Sequence, residues 1–181
     1  MKQAKRAVGL VGVCLALSGR ASEVPAQTFI GGQRPECGVE TSVGESHPTT
    51  KTGYIDEIAN VTRAGEDFRR VLYTGGNLQL TIMALPPGED IGRETRMGHD
   101  LFVRIEAGQG QVSIDGRVVD VNENSGIIIP AGAMYTIVNT GGTPMRLYII
   151  YGSPEFASNS VRATKSEANS SPDAFDGCTT E

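Results

Sequence analysis

Between residues 68 and 151 the chain alternates short β-type segments with turn signals at a spacing of about ten residues, and this pattern restricts the fold more than any other feature. "FRRVLY" and "NLQLTIMALPPG" are strand-like, the second with Leu78, Leu80, Ile82 and Ala84 on one face. "DLFVRIEAG" alternates, with Leu101, Val103 and Ile105 on one side and Phe102, Arg104 and Glu106 on the other. "GQVSIDGRVVDV" carries Asp115-Gly116 at its centre, a strong local signal for a hairpin turn. "SGIIIPAGAMYTIVNTGGTPMRLYIIYG" reads as two strands joined through "NTGGTP". No segment of this region shows a clear 3.6-residue period. Short, evenly spaced strands with Gly-rich turns predict an all-β domain, a sandwich or a closed barrel.

The flanks read differently. Lys2, Lys5 and Arg6 precede the apolar run "AVGLVGVCLALSG", and "ASEVPAQ" follows with small residues suited to cleavage after Ala26. Residues 1–26 are thus expected to be a signal peptide for export to the periplasm or the extracellular space; were this leader spurious, the protein would stay cytoplasmic. The run is too short to span a bilayer core of roughly 30 Å, so no transmembrane segment is expected in the mature chain. Residues 27–52 are rich in Gly, Ser, Thr and Pro and read as a linker. Residues 53–153 form the expected domain, and 154–181 a polar C-terminal tail that wraps the surface or is partly disordered. Removal of the leader takes Cys14 with it. Cys37 and Cys178 then remain, and the residues leave open a disulfide between them or two free thiols.

The formal net charge is −5, which offers no basic face for phosphates and argues against nucleic acid as a partner. No phosphate loop, nucleophile elbow, zinc cysteine cluster or dinucleotide fingerprint is present.

In its motifs the chain resembles the cupins, whose fold is a jelly-roll barrel, or double-stranded β-helix. The first cupin motif runs Gly, five residues, His-x-His, three or four residues, Glu, six residues, Gly. On this chain its glycines fall on Gly88 and Gly108, its histidines on Glu94 and Arg96, and its glutamate on Leu101. The second motif runs Gly, five residues, Pro-x-Gly, two residues, His, three residues, Asn. Pro130, Gly132 and Asn139 match it, its first glycine falls on Asn124, and its histidine falls on Tyr135. The stretches "RRVLYTG", "PGEDIG", "FVRIEAGQG", "IPAG" and "VNTGGTPMRLYIIY" are similar to small single-domain cupins described as mannose-6-phosphate isomerase-like. The resemblance implies a barrel over most of residues 53–181 and a homodimer.

It also implies a pocket lined by Glu94, Arg96, Leu101 and Tyr135. Cupin ligands at these places hold Mn, Fe, Zn or another divalent ion, but Leu101 cannot ligate and Arg96 is a permanent cation. Of the two histidines, His47 lies in the linker, and His99 is expected to be a solvated turn residue. The expected cofactor is therefore none. A divalent metal on Glu94, His99 and Tyr135 is the alternative. Arg96 has two readings: a structural ion pair with Glu94 on the same strand face, or a replacement positive charge that holds a carboxylate or phosphate. Tyr135 is either a core aromatic or a pocket hydroxyl. Met83, Met97 and Met134 are read as core filling, and Arg93, Arg104 and Arg162 as surface residues. The expected function is binding of a small, anionic molecule in the barrel. A metal-dependent isomerase or dioxygenase and a metal-free isomerase-like enzyme are the alternatives.

Overall fold

The computed structural model describes residues 53–171 and 173–180. The expected signal peptide and linker, Cys14, Cys37 and His47 lie outside them. In chain order the elements are α1 (Ile58–Ala64), β1 (Arg69–Thr74), β2 (Gln79–Leu85), β3 (Glu94–Thr95), β4 (Leu101–Ala107), β5 (Gln109–Ile114), β6 (Arg117–Asn122), β7 (Gly126–Ile129), β8 (Met134–Asn139), β9 (Met145–Tyr151), β10 (Val161–Arg162) and α2 (Lys165–Ser170). Two antiparallel sheets face each other, a six-stranded one in the order β10-β1-β2-β9-β4-β7 and a four-stranded one in the order β3-β8-β5-β6. This is an all-β jelly roll, as the strand pattern predicts. Among the described residues no helix is long and apolar enough to cross a membrane.

The core lies between the sheets. Leu101, Val103 and Ile105 of β4 and Leu147 and Ile149 of β9 are at most 1% exposed, which places the alternate residues of both strands inside. In β2 the core face is the other one: Met83 and Leu85 join the central cluster, while Ile82 and Ala84 are buried outside that cluster. Ile82 lies beneath the end of α1, where a Cβ on Gly65 would come within 2.9 Å of its Cδ1. With both its faces covered, β2 has no readable polar side. Glu106 also departs from the simple alternation. A bulge between Ile105 and Ala107 interrupts the β4–β9 register, and Glu106 is buried against Arg63 at 3.4 Å and Arg104 at 3.1 Å.

The stretch expected to hold two strands holds three, because Pro130 to Gly132 breaks β7 from β8. The two helices have no counterpart in the sequence pattern. Each spans about two turns or less, too short for a 3.6-residue period to register. The signal for α2 is its N-cap instead: Thr164 accepts from the Glu167 amide at 3.2 Å, and Glu167 reaches back to accept from the Ala163 amide at 2.9 Å.

The motif glycines have a backbone role. Gly88, Gly108 and Gly132 have φ of +80°, +85° and +82°, and Asn124 takes the fourth such position at +71°. At Gly108 a Cβ would also stand 2.8 Å from the Met145 Cα, so no other residue fits. The hairpin turn at Asp115 and Gly116 has φ of 47° and 83°, the two positive values that a tight β5–β6 turn needs.

Asn139 ties the barrel end together. Its buried amide donates to the carbonyls of Leu85 and Thr143, each at 2.8 Å, and its side-chain oxygen accepts from the Gly141 amide at 2.9 Å. Three bonds from one buried side chain fix both the β2–β3 loop and the β8–β9 loop. Asn139→Ala removes all three and strands the buried Leu85 carbonyl. It should lower unfolding free energy by about 3 kcal/mol in urea titration. A loss below about 1 kcal/mol would show that the loops hold themselves.

Candidate functional site

Glu94 and Tyr135 meet because β3 pairs with β8 at this position: the two residues are direct cross-strand partners. The Tyr135 hydroxyl donates to Glu94 Oε2 at 3.3 Å, and Arg96 Nη2 donates to the same oxygen at 2.6 Å. One carboxylate oxygen thus takes a phenol and a guanidinium. Three of the four expected pocket residues converge. Leu101 does not join them. Its side chain is 1% exposed and packs in the central cluster, with Ile129 and Tyr151 as strand neighbours.

Two more residues complete the inner chamber. Arg69 at the start of β1 shares the inward face with Val71, and Tyr151 at the end of β9 shares the inward face with Leu147 and Ile149. Burial pushes the hydroxyls of Tyr135 and Tyr151 well above the usual phenol range, and the nearby Glu94 charge adds to the shift of both. Both therefore stay protonated at ordinary pH, and Tyr135 donates to Glu94. Burial pulls Arg69 below its ordinary value, and Asp173 only partly offsets this. Arg96 is also pulled down by burial, but Glu94 and Glu155 together outweigh it and leave Arg96 raised. Both guanidiniums are cations at any ordinary pH.

The segment after β9 lies across the mouth of this chamber. Glu155 approaches Arg96 Nε at 3.6 Å, and Asp173 pairs with Arg69 at 2.6 Å. Phe156 lies under the Arg69 guanidinium at 3.7 Å and against Tyr151 at 5.4 Å between ring centres. Lys165 of α2 reaches Asp90 at 2.7 Å. A buried Gln79 pins the backbone of the segment, accepting from the Glu155 and Phe156 amides at 3.1 and 3.0 Å and donating to the Phe156 carbonyl at 2.7 Å. The C-terminal residues thus pack onto the barrel, with β10 paired to β1. Cys178 is disulfide-bonded; Cys37, its expected partner, lies outside the described residues.

Between barrel and segment is a cavity of about 280 Å³, lined by Arg69, Arg96, Glu94, Glu155, Phe156 and Asp173 among others. A chamber of about 20 Å³, lined by Tyr135, Tyr151 and Met83, adjoins it and shares Arg69, Glu94 and Phe156. Arg69 and Arg96 each keep a buried Nε–H with no hydrogen-bond acceptor among the described residues. A separate groove of about 510 Å³ lies at the β6–β7 edge, lined by Val119, Val121, Ile127 and Ile128 with Arg117 and Asp120. It shares no residue with the Arg69–Arg96 cavity.

His99 is not the solvated turn residue expected. Its side chain is 8% exposed, its Nδ1 faces Ser153 Oγ at 2.8 Å, and its Nε2 faces Glu155 at 3.2 Å. It is therefore engaged with Ser153 and Glu155 rather than with Glu94 and Tyr135. A divalent metal does not fit this donor set: Glu94 already carries a guanidinium and a phenol on one oxygen, and Arg96 is a fixed positive charge beside it. Of the methionines read as core filling, Met83 lines the inner chamber, while Met97 and Met134 are 79% and 43% exposed. Arg93 is exposed as expected, whereas Arg104 pairs with buried Glu106 and Arg162 lies 3.6 Å from buried Asp173.

Comparison with known proteins agrees with this architecture. The family model described as "Cupin domain" matches residues 81–151. The uncharacterized protein YrkC of Bacillus subtilis is 38% identical over 127 residues, 66% of this chain and 68% of YrkC. The chain belongs to the cupin superfamily. A second relative by sequence, the uncharacterized protein L612 of Acanthamoeba polyphaga mimivirus, is 34% identical over 103 residues, 54% of this chain and 64% of L612. The crystal structure of BH2720 from Bacillus halodurans superposes with a TM-score of 0.64 at 36% identity, covering 65% of this chain and 94% of that one. The residues matched to the cupin domain run from β2 to the end of β9, and the charged mouth is built by β1, β3 and the C-terminal segment.

Sequence reasoning missed Arg69, Tyr151, Glu155, Phe156 and Asp173. The first two were findable, since each continues the two-residue period of an inward strand face.

The ion pair sets a double-mutant test. Glu94→Ala leaves Arg96 partly buried and short of its nearest partner, and should cost about 3 kcal/mol. Changing Glu94 and Arg96 together to Leu should cost less than Glu94→Ala alone. Single losses near zero that simply add, measured by urea unfolding, would mean that both side chains are solvated.

Proposed function

We propose that this cupin binds a small organic anion, a molecule bearing a carboxylate or phosphate group, between Arg69 and Arg96 at the barrel mouth and without a metal. The observation that carries this reading is that two arginines whose Nε–H donors are buried and lack acceptors among the described residues, Arg69 and Arg96, line one cavity. A buried donor without a partner costs free energy that a ligand oxygen would recover. Guanidiniums suit this task because their planar donor edges match carboxylate and phosphate oxygens in pairs.

The remaining groups support the same class of ligand. The two tyrosine hydroxyls are held protonated and face a chamber with room for about one water-sized group. Glu94 and Asp173 already offset the two cationic charges, so a ligand anion is held by directed guanidinium hydrogen bonds rather than by net charge. Phe156 and Ile91 supply an apolar wall. At about 280 Å³ the cavity lies at the small end of ligand pockets, which favours molecules of a few carbons. A sugar phosphate, the substrate class implied by the mannose-6-phosphate isomerase resemblance, presents such an anionic group.

Calorimetric titration with malonate, succinate and inorganic phosphate tests this. At least one should bind saturably, and Arg96→Met should weaken it about ten- to hundredfold in folded protein, the loss of one charge-assisted hydrogen bond. No saturable binding of any of these anions, or binding indifferent to Arg96→Met, would contradict the reading.

A further inference from the structure

Glu155 lies between two donors and hydrogen-bonds neither. Its Oε1 is 3.2 Å from His99 Nε2, and its Oε2 is 3.6 Å from Arg96 Nε. Both nitrogens are nonetheless buried without a hydrogen-bond acceptor: Arg96 Nε is too far from Oε2, and the His99 contact lacks hydrogen-bond geometry. The His99 side chain is 8% exposed, so solvent does not relieve it. A carboxylate facing Nε2 favours the imidazole form with its proton there, which leaves Nδ1 to accept from the Ser153 hydroxyl at 2.8 Å. Two N–H groups three residues apart in the β3–β4 loop thus flank one carboxylate that satisfies neither.

We infer that the place occupied by the Glu155 carboxylate is itself an anion subsite, framed by Arg96 Nε and His99 Nε2, and that Glu155 is a displaceable internal occupant. This rests on the anion-binding reading above and adds to it a residue, His99, and a position. The ligand group it takes is a carboxylate, which spans two N–H donors with its two oxygens.

The subsite opens without movement of the segment. The backbone at Glu155 is fixed by Gln79 on one side and on the other by the Phe175 amide, which donates to the Glu155 carbonyl at 3.0 Å. The Glu155 side chain, 23% exposed, borders the cavity, so a change of rotamer is sufficient. When it turns out, the space it leaves joins the cavity and exposes His99 Nε2 to a ligand already held by Arg96. The segment after β9 then serves as a fixed wall with one movable group.

The test uses acetate and malonate as probes, titrated calorimetrically into the full chain and its variants. Glu155→Ala removes the occupant and should bind malonate about tenfold tighter than the unchanged protein. Acetate should raise the melting temperature of Glu155→Ala saturably, by filling the vacated place. Adding His99→Leu to Glu155→Ala should abolish the gain while leaving the weaker binding at Arg69 and Arg96. If Glu155→Ala does not fold, Glu155→Gln, which keeps the shape and removes the charge, should show a smaller gain in the same direction. The inference is overturned if folded Glu155→Ala or Glu155→Gln binds no tighter than the unchanged protein, or if the gain survives His99→Leu. Failure of this subsite alone would leave Arg96-dependent binding in the unchanged protein intact. Absence of binding in every form would overturn both readings.

Discussion

A guanidinium inside a β-barrel has to be neutralised where it stands, and the 2.6 Å contact between Arg96 and Glu94 does this here. The desolvation cost of such a charge is several kcal/mol, repaid only when a partner charge and further hydrogen bonds are in place. That requirement shapes the rest of the mouth. It holds the Glu94 carboxylate where Tyr135 also reaches it. It favours a second acid, Glu155, on the far side of Arg96. The same logic recurs at Arg69, where Asp173 supplies the counter-charge and Phe156 the stacking surface. The C-terminal segment contributes both of these acids, which explains why it packs on the barrel.

The barrel and its contents answer to different constraints. The positive-φ turns at Gly88, Asn124 and Gly132, the crowded backbone at Gly108 and the three bonds of Asn139 are demands of the chain path. They are met whatever the pocket holds. The side chains at positions 94, 96 and 135 are free of those demands, and here they form an ion pair with a phenol rather than a set of metal ligands. A cupin frame is therefore compatible with a site whose positive charge belongs to the protein.

Much of this was legible beforehand, for identifiable reasons. Strands β4, β5, β8 and β9 declare themselves by a period of two, and Asp115-Gly116 by the φ values it requires. Glu94 and Arg96 are expected on one face because they are two apart, and they do meet, although the strand itself ends at Thr95. Leu101 was misplaced because an inward direction does not distinguish pocket from packed core. β2 hid its core face because α1 covers the other. His99 read as solvated because the residues that bury it, Ser153 and Glu155, lie more than fifty positions away in a segment with no period at all. Glu155, Phe156 and Asp173 escaped for the same reason: their places are set by Gln79 and Arg69, partners that no local pattern connects to them.

We propose that the Arg96 guanidinium takes the place of a cupin metal at the barrel mouth and makes that metal unnecessary. Elemental analysis of protein purified without chelator or affinity metal tests it most directly, with Mn, Fe, Co, Ni, Cu and Zn counted per chain. Far less than one equivalent of any of these is expected, in folded protein that still binds a small anion. One tightly held equivalent, released by chelator with loss of that binding, would contradict it.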